Sequence, residues 1–368
     1  MRVLMTGGGT AGHVNPALAI ANTIKEMEPD SEIAFVGTPR GIENKLCEKA
    51  GYKVYHVDVM GIRRSLSPKN IKAAYLALTS PKKAKKIIEE FKPDIVIGTG
   101  GYVSWPVMKA AVKCGVPTAL HESNAVAGMT VRMLKDSVSR IYLNFEKAGE
   151  GIPKEKTLLV GCPMLKKPDV VDRAKAREKY GIPDDKIYIL SFGGSMGAEK
   201  VNEAVLYLME SYTGKSESIC HTLATGAIEK EIAFEDFQRR GLDKCENLEL
   251  CEYIYDMPER LAAADIVICR AGAMTLSELE VYGKCSVLIP SPNVTDDQQY
   301  KNAKVLEDNG AAIVIREGEE CPAKLLATVK DLCENPEKIQ ECARRASGMR
   351  ILDANERIYN DIVKLVRG

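Results

Sequence analysis

Apolar residues in this chain fall into short, nearly continuous runs separated by longer stretches with helical spacing. Val3-Leu4-Met5, Ile33 to Val36, Asp94 to Ile97 and Pro117 to Leu120 predict strands. They are apolar at successive positions and do not alternate, as expected of strands covered by helices on both faces. Pro16 to Glu26 and Ile42 to about Ala50 predict helices between them. Strands and helices taken in turn predict an α/β chain with a parallel sheet.

The pattern then begins again. Ile187 to Phe192 predicts a strand that enters Gly193-Gly194-Ser195-Met196-Gly197, with a helix from Ala198. At the start of the chain, Val3-Leu4-Met5 enters Thr6-Gly7-Gly8-Gly9-Thr10-Ala11-Gly12-His13 in the same way. In both places the first strand of a doubly wound unit ends in a glycine turn against a helix N-terminus. Ile266 to Cys269 with Thr275 to Tyr282, and Val287 to Ile289 with Gln298 to Asn309, predict further strand–helix units. A chain of 368 residues exceeds what one core organises. The expectation is two Rossmann-like doubly wound α/β domains, residues 1–162 and 163–353, with a linker between about Gly161 and Asp172. A last helix near Ala354 to Val366, within 354–368, is expected to pack back on the first domain.

Composition narrows the class. Lys plus Arg equals Asp plus Glu at 51 each, which argues against general nucleic-acid binding. Eleven cysteines without a Cys-x-x-Cys pair give no zinc or iron–sulfur spacing and suggest a reducing, cytoplasmic compartment. The apolar start Val3-Leu4-Met5 is too short for a signal peptide, and no run approaches the roughly 20 apolar residues of a spanning helix.

Glycine turns at helix N-termini suit a diphosphate, since the helix offers unpaired N–H groups and partial positive charge. Gly7-Gly8-Gly9-Thr10-Ala11-Gly12 satisfies Gly-x-Gly-x-x-Gly, a weak signal by itself; the second turn does not, and neither has the Lys-Ser/Thr of a P-loop, so ATP is disfavoured at both and NAD at the second. Arg270-Ala271-Gly272-Ala273-Met274-Thr275-Leu276-Ser277-Glu278 follows a strand and opens a helix, where open α/β sheets bind ligands. Glu278 there is either an acceptor for a ribose diol or an ordinary acid favoured by the helix dipole. Gln298 and Gln299 can read sugar hydroxyls. Asp296 and Asp297 are adjacent, without Asp-x-Asp spacing or a third ligand, and read as a helix start and not as a metal site. His13 follows the first glycine turn and is a candidate general base, against the alternative of a buried structural histidine. His121-Glu122-Ser123-Asn124 is polar enough to line the same site. The lysine-rich stretch from Arg63 to Lys92, with Ile71, Tyr75, Leu76 and Leu78 interleaved, is either a solvated helix or a surface for anionic lipid.

These motifs, with Gly98-Thr99-Gly100-Gly101-Tyr102-Val103-Ser104 and Asp297-Gln298-Gln299-Tyr300, resemble in order and spacing a family of bacterial peripheral glycosyltransferases over nearly the whole chain. Members transfer N-acetylglucosamine from its UDP conjugate to undecaprenyl-diphospho-N-acetylmuramoyl-pentapeptide, with inversion and without a metal or other cofactor. The resemblance implies a GT-B fold, two doubly wound domains facing across a cleft, with the donor held by the C-terminal one. On the matching positions, Ser195 and the helix start at Ala273, Met274 and Thr275, continuing into Leu276 and Ser277, would meet the diphosphate. Ile254 would meet the uracil through its backbone, with Arg270 nearby, Glu278 would hold the ribose, and Gln298 and Gln299 the sugar. Thr10, Ala11, Gly12, His13 and Asn124 would line the acceptor side. The implied partners are the UDP sugar, the lipid-linked acceptor and the anionic inner-membrane surface at the cytoplasmic face. Three positions depart from the family: Ala11 replaces a usual glycine, Trp105 replaces a small residue, and an arginine usual near Leu165 is missing. Lys166 or Lys167 is the expected substitute for it, and Trp105 an added interfacial contact.

Overall fold

The computed structural model describes residues 1–60, 69–165 and 171–368. Arg63, Lys166, Lys167 and Pro168 lie outside the described residues, as do the side chains of Lys69, Ile71 and Lys72. The chain divides into two compact units, one of Met1–Lys167 with Ile351–Gly368, the other of Pro168–Arg350.

In the first unit, the described strands are β1 (Arg2–Thr6), β2 (Glu32–Gly37), β3 (Lys53–His56), β4 (Ile95–Gly98), β5 (Thr118–Glu122), β6 (Arg140–Leu143) and β7 (Thr157–Leu159). They form one parallel sheet in the order β3-β2-β1-β4-β5-β6-β7. The unbroken apolar run of β1 follows from this placement. Val3 and Met5 point to one face, against the helix Ala11–Met27 and against Ile358 and Ile362 of the helix Ala354–Arg367. Leu4 points to the other, against Ile88 and Phe91 of the helix Lys69–Phe91 and Met108 of the helix Ser104–Lys113. Period-two side chains on a sheet with two covered faces must all be apolar.

The second unit repeats the plan. Its strands are β8 (Ile187–Phe192), β9 (Ile219–Ala224), β10 (Leu248–Cys251), β11 (Ile266–Cys269), β12 (Cys285–Leu288) and β13 (Ile313–Val314). They are parallel, in the order β10-β9-β8-β11-β12-β13. Ile189, Ile266, Ile268 and Val287 pack with Val201, Val205, Leu325 and Val329 from the covering helices.

Each sheet grows outward from its first strand in one direction, then restarts beside that strand in the other. The reversal lies between β1 and β4 in the first unit and between β8 and β11 in the second. The connections leaving the carboxyl ends of such a strand pair run to opposite faces of the sheet, and this switch point is where open α/β sheets hold ligands. Both sequence-predicted glycine turns leave those strands.

Candidate active site

In the first unit the loops after β1 and β4 interlock. A Cβ on Gly101, whose φ is +80°, would strike the carbonyl of Gly8, so only glycine lets the loops meet. Thr99 Oγ1 donates to the His13 carbonyl at 2.6 Å, and Ser104 Oγ donates to the Thr6 carbonyl at 3.1 Å. His13 Nδ1 lies 3.1 Å from the Thr99 carbonyl. A carbonyl only accepts, so Nδ1 carries the proton and Nε2 keeps its lone pair. Burial lowers the His13 pKa, only partly opposed by the Thr99 bond, so the ring is neutral near pH 7. The ring sits tight on Gly100, where a Cβ would come 2.6 Å from Nδ1. Thr10, at the N-cap of the helix Ala11–Met27, makes no side-chain cap, which leaves the first N–H groups of that helix open.

A buried carboxylate lies beneath the first glycine turn. Glu43 accepts from Thr38 N and Thr38 Oγ1, both at 2.8 Å, and from Gly9 N at 3.3 Å. Burial pushes its carboxyl up, but these bonds outweigh burial and hold it below the usual carboxylate range. Glu43 thus fixes the turn from below and occupies one of its N–H groups. After β5, Glu122 organises the next loop, accepting from Asn124 N at 2.9 Å, Asn124 Nδ2 at 3.0 Å and Gly128 N at 2.6 Å. Asn124 is thereby held half-buried at the carboxyl end of the sheet.

In the second unit the loop after β8 is pinned from behind. Ala227 N donates to the Ser195 carbonyl at 3.2 Å and Ile228 N to the Met196 carbonyl at 3.1 Å, leaving the Ser195 side chain exposed. The helix Ala273–Tyr282 begins after β11 with Gly272 as N-cap and no side-chain cap, so the N–H groups of Ala273, Met274 and Thr275 are open. Glu278, half-buried, is raised to about 7 by burial. Ile254 follows β10, with its side chain buried and its N–H and C=O bonded to no described residue. Arg270 donates to the Ile289 carbonyl at 3.1 Å and pairs with Glu317 at 2.5 Å. Gln299 Oε1 accepts from Ser291 N at 2.8 Å, which orients that amide.

The two halves of this arrangement correspond to known domains. Residues 3–143 match the glycosyltransferase family 28 N-terminal domain, and residues 188–358 match the glycosyltransferase family 28 C-terminal domain. The chain belongs to glycosyltransferase family 28. It is 41% identical over 362 residues, 98% of each chain, to the UDP-N-acetylglucosamine–N-acetylmuramyl-(pentapeptide) pyrophosphoryl-undecaprenol N-acetylglucosamine transferase of Lactococcus lactis subsp. cremoris. It is 40% identical over 370 residues, 100% of this chain and 99% of the other, to the like-named protein of Acetivibrio thermocellus. The crystal structure of Acinetobacter baumannii MurG matches with a TM-score of 0.79 and 28% identity over 99% of both chains. The fold of this family 28 chain is GT-B.

Several expectations need correction against the family 28 structure. The first helix begins at Ala11, not at Pro16. Proline marks a helix start in sequence, but here it sits inside, and its missing N–H leaves the Gly12 carbonyl without the usual helical partner. Asp297 occupies the N-cap of the helix Gln298–Asp308 but caps nothing. Asp296 and Asp297 have φ of 54° and 52°, and this left-handed backbone turns the Asp297 carboxylate to Arg316 at 3.4 Å. His121 does not line a site. It is buried, with Nε2 at 3.0 Å from the Gly161 carbonyl, and burial lowers it to about 4. Trp105 is half-buried against the core, with Lys109 Nζ 4.5 Å from its ring centre, so it is no free interfacial aromatic. Leu276 and Ser277 are buried, and Ser277 Oγ donates to the Ala273 carbonyl at 3.2 Å, so their side chains support the helix start from within. Glu278 stands at the sixth helical position, beyond the first turn where the dipole favours acids.

Sequence reasoning missed Glu43, Thr99, Glu122 and Glu317. Thr99 and Glu122 stand inside motifs it singled out, but nothing local shows that their polar atoms turn back onto the chain. Glu43 lies 34 residues from the Gly9 it holds, and Glu317 47 from Arg270, so no spacing reveals either pair.

Proposed function

We propose that this chain transfers N-acetylglucosamine from UDP-N-acetylglucosamine to the 4-hydroxyl of the muramoyl residue in undecaprenyl-diphospho-N-acetylmuramoyl-pentapeptide, with inversion. The observation that carries this reading is identity of about 40% along the full chain to transferases of that name. The second unit takes the donor. The open N–H groups of Ala273, Met274 and Thr275, with Ser195, face the diphosphate. The free backbone edge of Ile254 pairs with the uracil, and Glu278 accepts from the ribose hydroxyls. Arg270, already neutralised by Glu317, is a positioning residue and not a bare cation. Gln298 and Gln299 read the sugar.

The first unit takes the acceptor, at Thr10, Ala11, Gly12, His13 and Asn124. The muramoyl 4-hydroxyl oxygen forms a bond to the anomeric carbon while the bond from that carbon to the UDP oxygen breaks. The hydroxyl proton passes to Nε2 of His13, and the electron pair leaves with UDP, whose charge the helix N–H groups stabilise.

Among the described residues no helix is long and apolar enough to cross a membrane. We assign the chain to the cytoplasmic face as a peripheral protein, reached through the helix Lys69–Phe91, where Tyr75 is 64% and Leu78 78% exposed beside Lys82, Lys83, Lys85 and Lys86. None of its eleven cysteines forms a disulfide, which supports a reducing compartment. Incubation with labelled UDP-N-acetylglucosamine and the lipid-linked muramoyl acceptor tests the whole reading. A labelled lipid product is expected, and hydrolysis alone, or transfer only to another acceptor, overturns it.

A further inference from the structure

The chain is neutral, but its charge is not evenly spread. The first unit holds 28 Lys and Arg against 18 Asp and Glu, a formal +10, and the second 23 against 33, a formal −10. Within the second unit, residues 199–259 hold 14 acids against 6 bases, a formal −8. This acidic stretch includes both walls of an open groove of about 320 Å³ between the helices Glu199–Ser211 and Lys230–Arg239.

The groove has an apolar floor and an acidic rim. Leu206 and Ala233 are buried at its base, and Ile232 stands beside them with 67% of its surface exposed. Glu199, Glu203, Glu229, Glu235 and Asp236 line the rim, where Arg239 is the basic lining residue and pairs with Asp236. Among the described residues, Glu229 and Glu235 have no ion-pair partner. No three metal-ligating side chains converge among the described residues, so the carboxylates are spread along the groove and do not close round one cation. An anionic lipid surface or a nucleic acid would meet repulsion here. An exposed isoleucine over an apolar floor, flanked by unneutralised carboxylates, complements one chemistry: aliphatic side chains one helical turn apart with lysines or arginines on either side.

We propose that this groove docks a basic amphipathic helix of a partner protein, which seats one or two aliphatic side chains against Ile232 and Leu206 while its cations meet Glu229 and Glu235. The volume suits a pair of anchoring side chains, with the partner helix lying along the surface. Such a contact is salt-dependent and forms fast, because carboxylates steer the cation before the apolar side chains seat. Glu199, at one end of the groove, follows Ser195 by four residues, but no lining residue is among those assigned to transfer, and the proposal does not depend on that assignment.

The test uses a fluorescein-labelled synthetic peptide with leucines at i, i+3, i+4 and i+7 and lysines elsewhere. Its controls are a peptide of the same composition with no apolar face and one with glutamate in place of lysine. Anisotropy is read on the full-length protein, on Glu235→Lys and on Ile232→Ser. The wild type is expected to bind the amphipathic lysine peptide, and both variants to bind it about tenfold more weakly, with a shallower salt dependence in the charge variant. UDP affinity is expected to be unchanged in both variants, which shows that they fold. The proposal fails if the wild type does not bind, if the variants bind as tightly as wild type, or if the peptide without an apolar face binds equally well. Sedimentation velocity adds a separate outcome: self-association of the protein alone that Ile232→Ser abolishes would give the groove to a second copy and overturn the assignment.

Discussion

Burial holds the Glu278 carboxyl at about 7, with no compensating cation among the causes of its shift. Two ribose hydroxyls would donate to the ionised form, favour it and lower its pKa in the complex. Binding below about pH 7 must then release a proton. UDP affinity is therefore expected to be flat above that pH and to weaken by at most about tenfold per pH unit below it. Glu278→Gln should weaken binding and flatten the profile in calorimetry, and a pH-independent wild-type profile would remove Glu278 from the ribose. His13 makes a different prediction. Its Nδ1–H is committed to Thr99, so Nε2 is the basic nitrogen. His13→Ala should lower turnover by about 10²–10⁴-fold while UDP affinity hardly moves, as for a group acting in proton transfer. Near-normal turnover would return His13 to structure, the role that His221 has, bonded to Ser191 at 2.7 Å and Thr213 at 3.0 Å.

At the scale of elements, the sites depend on turns that other elements hold in place. Glu43, from the helix Ile42–Lys49, anchors the glycine turn after β1. Glu43→Ala would strand the buried donors of Thr38, release the Gly9 N–H and should cost about 1–3 kcal/mol in urea unfolding. The sign with pH follows from its lowered pKa: the stabilisation is present above its unfolded pKa and is lost as pH falls through the folded one. The helix Ala354–Arg367 is an integral part of the first unit. Ile358 and Ile362 are fully buried beside β1, and Asp361 accepts from Arg140 at 2.9 Å and Tyr142 at 3.1 Å. Ile358→Ala should cost about 2–5 kcal/mol by the same measurement, and a loss near zero would mean that this helix is dispensable. Helix starts also bear on metal. If the N–H groups of Ala273 to Thr275 stabilise the departing diphosphate, transfer should persist in EDTA. Loss that magnesium restores would give Asp296 and Asp297 a cation to hold.

For the whole molecule, the opposed charges of the two units matter more than their zero sum. An anionic surface attracts a unit of +10 and repels one of −10, so only the first unit is suited to lie against lipid. Sedimentation with anionic vesicles should carry the protein down at low salt. Each lysine near the surface contributes about 1 kcal/mol. Salt, or exchange of Lys82, Lys83, Lys85 and Lys86 for glutamate, should release the protein. If wild type and the charge-reversed protein both stay in the supernatant at low salt, the lysines only solvate a helix.

Sequence determined what depends on neighbours along the chain. A strand buried on both faces must be apolar at every position, which made β1, β4, β8 and β11 legible. A turn that meets a helix N-terminus is local too, so the second glycine turn and the opening at Gly272 could be read within a residue or two, whereas Pro16 misplaced the helix start after the first turn by five. The less regular strands β3, β6, β9 and β10, like the short β7 and β13, were not read: Lys53 and Arg140 open two of them, and His221 and Glu249 interrupt two others. These polar groups are tolerated where structure distant in sequence accepts them, as Arg140 is by Asp361 and His221 by Ser191. Only the tertiary structure decided how the residues of each site are used. It set the tautomer of His13, the anchoring of the first turn by Glu43, the neutralising of Arg270 by Glu317 and the burial that raises Glu278. Each is a hydrogen bond, an ion pair or a loss of solvent set by the three-dimensional fold, and three of the four join residues 34 to 86 positions apart. Short-range periodicity carries no information about such pairs.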